Sequence, residues 1–347
     1  MFFQRYTAMK PNDFAFYLTG FLTKFLPGEF GASKNTISSY RDTFILLLMF
    51  FHDEKNISAE NLTLENITKA DIEDFLDWLQ SARKCKSSTR NVRLAAIHSF
   101  FKYLQYENPD YVLEWQRILS IPVKKCEKGT LNYMSLDGVK LILEMPDLQT
   151  KAGRRDLALI SLMYDTAARV QEIIDLTPMD IRLDIPYTIR ITGKGKKTRI
   201  VPLMESQVRI LKSYMVENSL TEPYANKYPL FSSKRKEKLT RAGVGYILGK
   251  HIRLAREINA SLIPEKFSCH CLRHSKAMHM LQAGINLVYI RDILGHSSVQ
   301  TTEIYAKADS KQKREAIEKA YTVVVPENPP IWQTNDNLLK WLKSFTL

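Results

Sequence analysis

One segment of this 347-residue chain interrupts an otherwise helical pattern, and it narrows the folds open to it. Tyr187 to Ile191 and Thr198 to Val201 alternate β-branched residues around Gly193-Lys194-Gly195, as two short strands joined by a turn do. On either side, apolar residues recur at helical spacing. Phe14, Tyr17, Leu18, Phe21, Leu22 and Phe25 make one such face, which Pro27-Gly28 is expected to end. Ser33 can cap a helix from Lys34 towards Phe51. Thr68 can cap another, with Ile72, Phe75, Leu76 and Leu79 inside. Ser87 or Ser88 opens a fourth, which Asn108-Pro109 stops. Further helices are expected over Ser135 to Glu144, Arg154 to Ala168, Ser206 to Val216 and Arg241 to Ile258, and from His270 to near Tyr321. The fold class this implies is mainly α with a small β-sheet.

The length exceeds one average domain of roughly 100–200 residues. Residues 1–120 read as a helical bundle. Residues 121–131 hold Pro122, Lys124, Lys125, Glu127, Lys128 and Gly129 without apolar periodicity, and read as a basic linker. Residues 132–322 form the second, mixed domain. In the tail, 323–347, Val323-Val324-Val325 and then Pro326, Pro329 and Pro330 precede Leu338, Leu339, Trp341, Leu342 and Phe345. That last group reads as a short apolar helix that needs a surface to bury against.

The formal net charge of +13 favours a polyanionic partner, nucleic acid before an anionic membrane surface. The most apolar run, Phe44 to Phe51, is far short of the roughly 20 residues a spanning helix needs. The opening Met-Phe-Phe-Gln-Arg-Tyr lacks a signal-peptide pattern. The four cysteines, Cys85, Cys126, Cys269 and Cys271, are irregularly spaced, which fits a reducing compartment rather than a disulfide framework. A cytoplasmic protein acting on DNA is expected, with no membrane partner. Lys84, Lys86, Arg90 and Arg93 cluster near helix starts and, with Lys124 and Lys125, are candidates for phosphate contact. The alternative is a solvated charged face.

Six residues in the second domain suit one chemistry. Arg169 stands in Thr-Ala-Ala-Arg-Val-Gln-Glu-Ile, and Lys194 at the turn of the hairpin. His270 and Arg273 stand in His-Cys-Leu-Arg-His. His296 and Tyr305 close Leu-Gly-His-Ser-Ser-Val-Gln-Thr-Thr-Glu-Ile-Tyr. Attack on a phosphodiester builds negative charge on the phosphoryl oxygens, and fixed cations lower that barrier without a metal. Arginine bonds two such oxygens at once and stays charged. Histidines donate hydrogen bonds or move a proton near neutral pH. A phenol, with a pKa of about 10, needs a base or nearby cations to attack. The Cys-His-Cys cluster at 269–271 invites a metal site, but adjacent residues point apart, so the thiols read as packing. Each residue alone has an ordinary structural reading. His274 and His279 are assigned structural roles, and Asp165 is left open.

The ordered set resembles the tyrosine recombinase (phage integrase) family over Leu157 to Ala306. Arg169 matches the family's first arginine, with Glu172 one turn on to orient it. Gly193-Lys194-Gly195 followed by Thr198-Arg199-Ile200-Val201-Pro202-Leu203 is similar to the catalytic-lysine hairpin. His270-Cys271-Leu272-Arg273 is similar to the His-x-x-Arg box, and Leu294-Gly295-His296 with Tyr305 to the last box. The cysteines flanking His270 depart from the proline and apolar residue common in relatives. The resemblance implies a C-shaped clamp of two domains on double-stranded DNA and a protein tetramer holding two recombination sites. It implies strand cleavage by Tyr305 to a 3′-phosphotyrosyl bond, with Lys194 protonating the 5′ oxygen, then exchange through a Holliday junction. Neither cofactor, metal nor ATP is implied, and DNA-bending accessory factors are compatible with it. The extra tail points to an integrase of a mobile element, and the tail is expected to pack on a neighbouring protomer, the alternative being that it folds back on its own domain. The rivals are a type IB topoisomerase-like enzyme and a non-catalytic DNA-binding architectural protein.

Overall fold

The computed structural model describes residues 12–126, 131–193, 195, 197–308 and 338–344. The chain divides into two compact units, Met1–Lys128 and Gly129–Leu347, and the division falls inside the stretch read as a linker.

In the first unit, α1 (Asp13–Gly20) is capped by Asn12, whose side chain accepts from the Ala15 amide at 2.7 Å. The helix does not end at Pro27-Gly28. It runs on as a π-helix over Phe21–Glu29 that contains Pro27. Proline has no N–H to give, and the wide turn reroutes the amides after it, as in Phe30 N to Phe25 O at 2.9 Å. The next helices are α2 (Lys34–Lys55), α3 (Lys69–Ser81) and α4 (Ser87–Glu107), the first two capped by Ser33 and Thr68 as expected. A fifth, α5 (Val112–Leu119), is not among the expected helices. It buries Trp115 and Ile118, and the Trp115 indole donates to Asn108 O at 3.0 Å. The core of this unit is aromatic: Phe14, Phe21 and Phe44 all meet Phe100 edge-on, with ring centroids 5.9, 5.3 and 5.1 Å apart.

The second unit opens with α6 (Leu136–Glu144) and α7 (Lys151–Thr166). The latter starts three residues earlier than expected because the Thr150 hydroxyl, not a later residue, accepts from the Gly153 amide at 3.0 Å. It stops at Ala167, whose φ of 48° is left-handed. The one-turn helix α8 (Val170–Ile174) follows. Then come β1 (Ile181–Arg182), β2 (Thr188–Thr192) and β3 (Thr198–Pro202), an antiparallel sheet in that order, with Thr192 opposite Thr198 at the hairpin end. Ile189, Ile191 and Val201 turn inward to the main core, which α7, α9 (Glu205–Glu217), α10 (Arg241–Asn259) and the start of α11 (Cys269–Gln282) complete. A smaller cluster joins Ala167, Met278, Leu281, Ile290 and Leu294 to Tyr305, between α11, α12 (Leu287–Leu294) and α13 (Glu303–Ala308). The tail contributes α14 (Leu338–Ser344), on which Leu342 is exposed. Lys194, linker residues 127–130, the helical stretch expected up to Tyr321, Val323 to Pro330 and Phe345 lie outside the described residues.

Candidate active site

The end of α7 sets the first cation. After the left-handed Ala167, Arg169 is the N-cap of α8, and its backbone amide donates to Glu172 Oε2 at 2.9 Å. Its guanidinium donates to Glu172 Oε1 at 2.8 Å, so one carboxylate fixes both main chain and side chain. Glu172 is buried and takes a second arginine, Arg199 of β3, at 2.7 Å. Burial would raise its carboxyl. The bond and charge of Arg199, with the bonds from Arg169, outweigh that and hold it below the ordinary value.

Arg273 is the buried cation, with 4% of its surface exposed. Its guanidinium donates to Ala167 O and Leu294 O, each at 2.7 Å. Both carbonyls lie at helix C-termini, where partial negative charge accumulates. Burial first and then the charge of Arg169 pull its pKa down to about 10, so it stays protonated at neutral pH. Ala167 precedes Arg169 by two residues, and Leu294 precedes His296 by two. One side chain thus ties the two distant motifs together.

Arg199 makes a second tie. Its Nε donates to Ile293 O at 2.7 Å, which joins the hairpin to the end of α12. Gly295 caps α12 at a φ of 64°, and a Cβ there would stand 2.9 Å from the Arg199 guanidinium. The glycine of Leu-Gly-His is therefore required twice, by its backbone and by its neighbour. Next to it, the His296 Nδ1 meets Thr302 Oγ1 at 2.9 Å. Arg169, Lys197, Arg199, Arg291 and His296 line a cleft of about 460 Å³ with Gly193 and Ser297.

His270 is exposed at the start of α11, and His274 lies one turn on, with ring centroids 6.2 Å apart. Both line a second cleft of about 300 Å³, together with Leu131 and Asn132. The sequence alone assigns His274 a structural role. It is instead the hydrogen-bond partner of Tyr305, with Nδ1 3.0 Å from the phenol oxygen. Burial, then His270 and Arg273, lower the His274 pKa to about 4. Burial, then Arg273, Arg169 and Arg199, do the same for His296, and His270 is lowered by burial, Arg273 and Arg169. All three rings are poor proton holders beside so much positive charge. Tyr305 is 1% exposed. Burial raises its pKa, and the charges of Arg273 and Arg169 pull the other way without cancelling it.

Other residues find plain roles. His279 donates through Nε2 to Met134 O at 2.9 Å and leaves Nδ1 for the Tyr164 hydroxyl at 2.9 Å. Asp165 pairs with Lys276 at 2.9 Å. Cys271 is buried at the N-terminus of α11, where its sulfur accepts from the Ser268 amide at 3.3 Å, and Cys269 packs against the main core. Among the described residues, no three of His, Cys, Asp and Glu converge as a metal-binding group. Two signals of the site were readable in principle. Arg199 occupies the same face of β3 as the buried Val201, and an inward arginine needs a partner. His274 falls four residues after His270, on one helix face.

Of the basic residues proposed for phosphate contact, three are engaged within the first unit. Arg90 is buried, 5% exposed, so its position does not present it to a surface ligand. Arg93 donates to Ser39 O at 2.9 Å and Thr43 Oγ1 at 3.2 Å, which joins α4 to α2. Lys124 bonds Gln80 at 2.6 Å and pairs with Asp77 at 3.3 Å. Arg93 thus ties α4 to α2, the helix that packs on that face. Lys84, Lys86 and Lys125 are exposed.

Comparison with known proteins gives one consistent set. The phage integrase family model matches residues 132–312, and the phage integrase N-terminal SAM-like domain matches 20–108. The chain is 36% identical over 327 residues to y4rC of Sinorhizobium fredii, by its name a candidate integrase/recombinase, covering 94% of this chain and 97% of that one. It is 32% identical over 286 residues to the tyrosine recombinase XerD of Listeria monocytogenes, covering 81% and 90% of the two. Among solved structures, the XerH site-specific recombinase in a post-cleavage complex with its difH substrate superposes with a TM-score of 0.66 at 25% identity, over 83% of this chain and 80% of that one. No helix of the described residues is long and apolar enough to cross a membrane.

Proposed function

The chain belongs to the phage integrase family of tyrosine recombinases, and from that premise we propose that it cuts and rejoins DNA with Tyr305 as the nucleophile. As a member it is a site-specific recombinase, a DNA strand transferase. The observation that supports the residue assignment most is the clasp of Arg273 between Ala167 O and Leu294 O, which brings the Arg169 and His296 motifs onto one buried cation. Arg169 and Arg273 then neutralise the phosphoryl oxygens, and His270 and His296 donate to them.

The Tyr305 oxygen bonds to phosphorus as the bond to the 5′ oxygen breaks. The phenol proton passes to a neutral base, for which His270 is suited, and Lys194 gives the leaving oxygen its proton. The products are a 3′-phosphotyrosyl bond and a 5′-hydroxyl, and attack by a partner strand's hydroxyl reverses the step on new DNA. Because side chains supply the positive charge, neither metal nor ATP takes part.

The substrate is double-stranded DNA carrying a recombination site. Lys84, Lys86 and Lys125 contact its backbone from the first unit, and two sites are paired by a tetramer through a Holliday junction, with DNA-bending factors as accessories. The role is integration or excision of a mobile element in the cytoplasm. The support is the 36% identity to y4rC across 94% of the chain, against 32% across 81% for XerD. Inverted repeats in the DNA flanking the gene test that part.

A nicked suicide duplex tests the chemistry. The wild-type chain should give a protein–DNA adduct on a denaturing gel, mapped by mass spectrometry to the peptide that holds Tyr305. Tyr305→Phe should give none while still shifting the duplex in a native gel. An adduct that survives this substitution would move the nucleophile to another residue.

A further inference from the structure

One arginine outside the two clefts is held at its neck and open at its tip. Arg241 is the first residue of α10, just after the Thr240 cap, and it is exposed. Its Nε donates to Gln171 Oε1 at 2.8 Å. Among the described residues, neither of its Nη atoms has a hydrogen bond or an ion pair, so the outer fork keeps its donors.

The glutamine is itself oriented. Its Nε2 donates to both oxygens of Asp175, at 3.0 and 3.1 Å, one turn further along α8. That contact turns Oε1 towards Arg241. Lys238 pairs with Asp175 and balances its charge. Arg169 and Arg199, by contrast, share the carboxylate of Glu172. A neutral amide orients Arg241 without cancelling its charge.

Two further features place a large anion at that tip. Arg169, the N-cap of α8, stands only two residues before Gln171, so a duplex whose phosphate meets Arg169 runs beside Arg241. Gly245 and Gly249 follow Arg241 four and eight residues on, along the same flank of α10. Both are exposed, and a Cβ at either would meet nothing within 4 Å. No packing calls for glycine there, and the missing side chains leave the helix flank low enough for close approach.

We propose that Gln171 is a positioning residue that aims the Arg241 fork at DNA beside the scissile phosphate. The fork takes two acceptors side by side, either two oxygens of one phosphate or O6 and N7 of one guanine. An arginine already held in place gives up less side-chain freedom when it binds. The inference rests on the reading of this chain as a recombinase acting at Arg169. If that reading failed, the wild-type chain would give no adduct on the suicide duplex, whereas the binding measurements below need no cleavage.

The test is gel-shift titration of the full-length chain over a range of salt, on the recombination-site duplex and on an unrelated one. Arg241→Ala should weaken binding about tenfold or more. Gln171→Met keeps the bulk without the acceptor and should weaken it about three- to tenfold. With Arg241 already alanine, the same change should cost no more than about twofold. Loss on both duplexes, with a salt slope lower by about 1 in Arg241→Ala, identifies a phosphate, and loss confined to the site duplex identifies a guanine. At saturating enzyme the defect of Gln171→Met should disappear from single-turnover cleavage. Phenylglyoxal labelling of the wild type needs no variant to fold, and bound duplex should protect Arg241. Four results overturn the proposal: unchanged binding in Arg241→Ala, equal harm from Gln171→Met with and without Arg241, no protection by DNA, or a cleavage defect of Gln171→Met that persists at saturation. The last would make Gln171 a support for Arg169 instead.

Discussion

Arg199 Nη2 lies 2.7 Å from Glu172 Oε2, and through that bond the β2–β3 hairpin is locked to the carboxylate that also holds Arg169. The same guanidinium reaches Ile293 O, two residues before Gly295 and three before His296. Three motifs far apart in the chain therefore share one arginine.

Replacing that arginine should cost activity more than binding. Arg199→Met frees Glu172 on one side and loosens the hairpin, and a displacement of about 1 Å at a reacting group costs roughly 100-fold in rate. Arg199→Lys keeps the charge without the fork and should fall between the two. Single-turnover cleavage and gel-shift affinity measured together check this. An affinity loss as large as the rate loss would make Arg199 a DNA contact instead.

Arg273→Lys should fail although it keeps a cation. An ammonium cannot span the Ala167 and Leu294 carbonyls as the guanidinium does, and one buried acceptor goes unmet at about 1–3 kcal/mol. Urea melts should show that loss, and the suicide duplex should yield little adduct. A lysine variant with wild-type melting and cleavage would show that the fork is not required.

Lys194, between β2 and β3 in the sequence, is assigned the proton for the leaving 5′ oxygen. A 5′-bridging sulfur leaves without one, because a thiolate is a far weaker base than an alkoxide. Lys194→Ala should therefore cleave ordinary DNA poorly and the sulfur-bridged duplex nearly as well as wild type. Equal defects on both substrates would remove Lys194 from the leaving-group step.

Acid should destabilise the second unit earlier than carboxylates alone predict. His274 and His296 sit near pKa 4 in the folded chain, against about 6.5 when unfolded. Between those values the unfolded state binds more protons, so the stability is whole above about pH 6.5 and is lost as pH falls towards 4. Urea midpoints at roughly pH 7, 6 and 5 should decline steadily, and less steeply in the His274→Asn, His296→Gln double variant. Parallel slopes in the two proteins would mean these rings are not the titrating groups.

Truncation after Val325 removes α14 and its exposed Leu342. Single-site DNA binding should persist, and pairing of two sites should weaken, if the tail docks on a neighbouring protomer. Gel-shift titrations on one-site and two-site DNA measure both. Undiminished pairing would leave the tail without a part in assembly.

Local rules carried a good deal of this protein. Helical spacing and the caps Ser33, Thr68 and Ser135 placed helices because each depends on residues a few positions apart. The strands around Gly193 were legible for the same reason, and so was the order Arg169, His270, Arg273, His296, Tyr305, whose wording is linear. Tertiary packing decided what no local pattern carries. Pro27 sits inside a π-helix whose preceding residues Phe21 and Leu26 are buried in the bundle. Arg90 is buried, and Arg93 turns inward to bond Ser39 and Thr43 of α2. The second arginine on Glu172 came from β3, 27 residues on, and the partner of Tyr305 from α11, 31 residues back. A side chain's function depends on which charges and carbonyls surround it after folding, and those neighbours are fixed by the packing of distant elements.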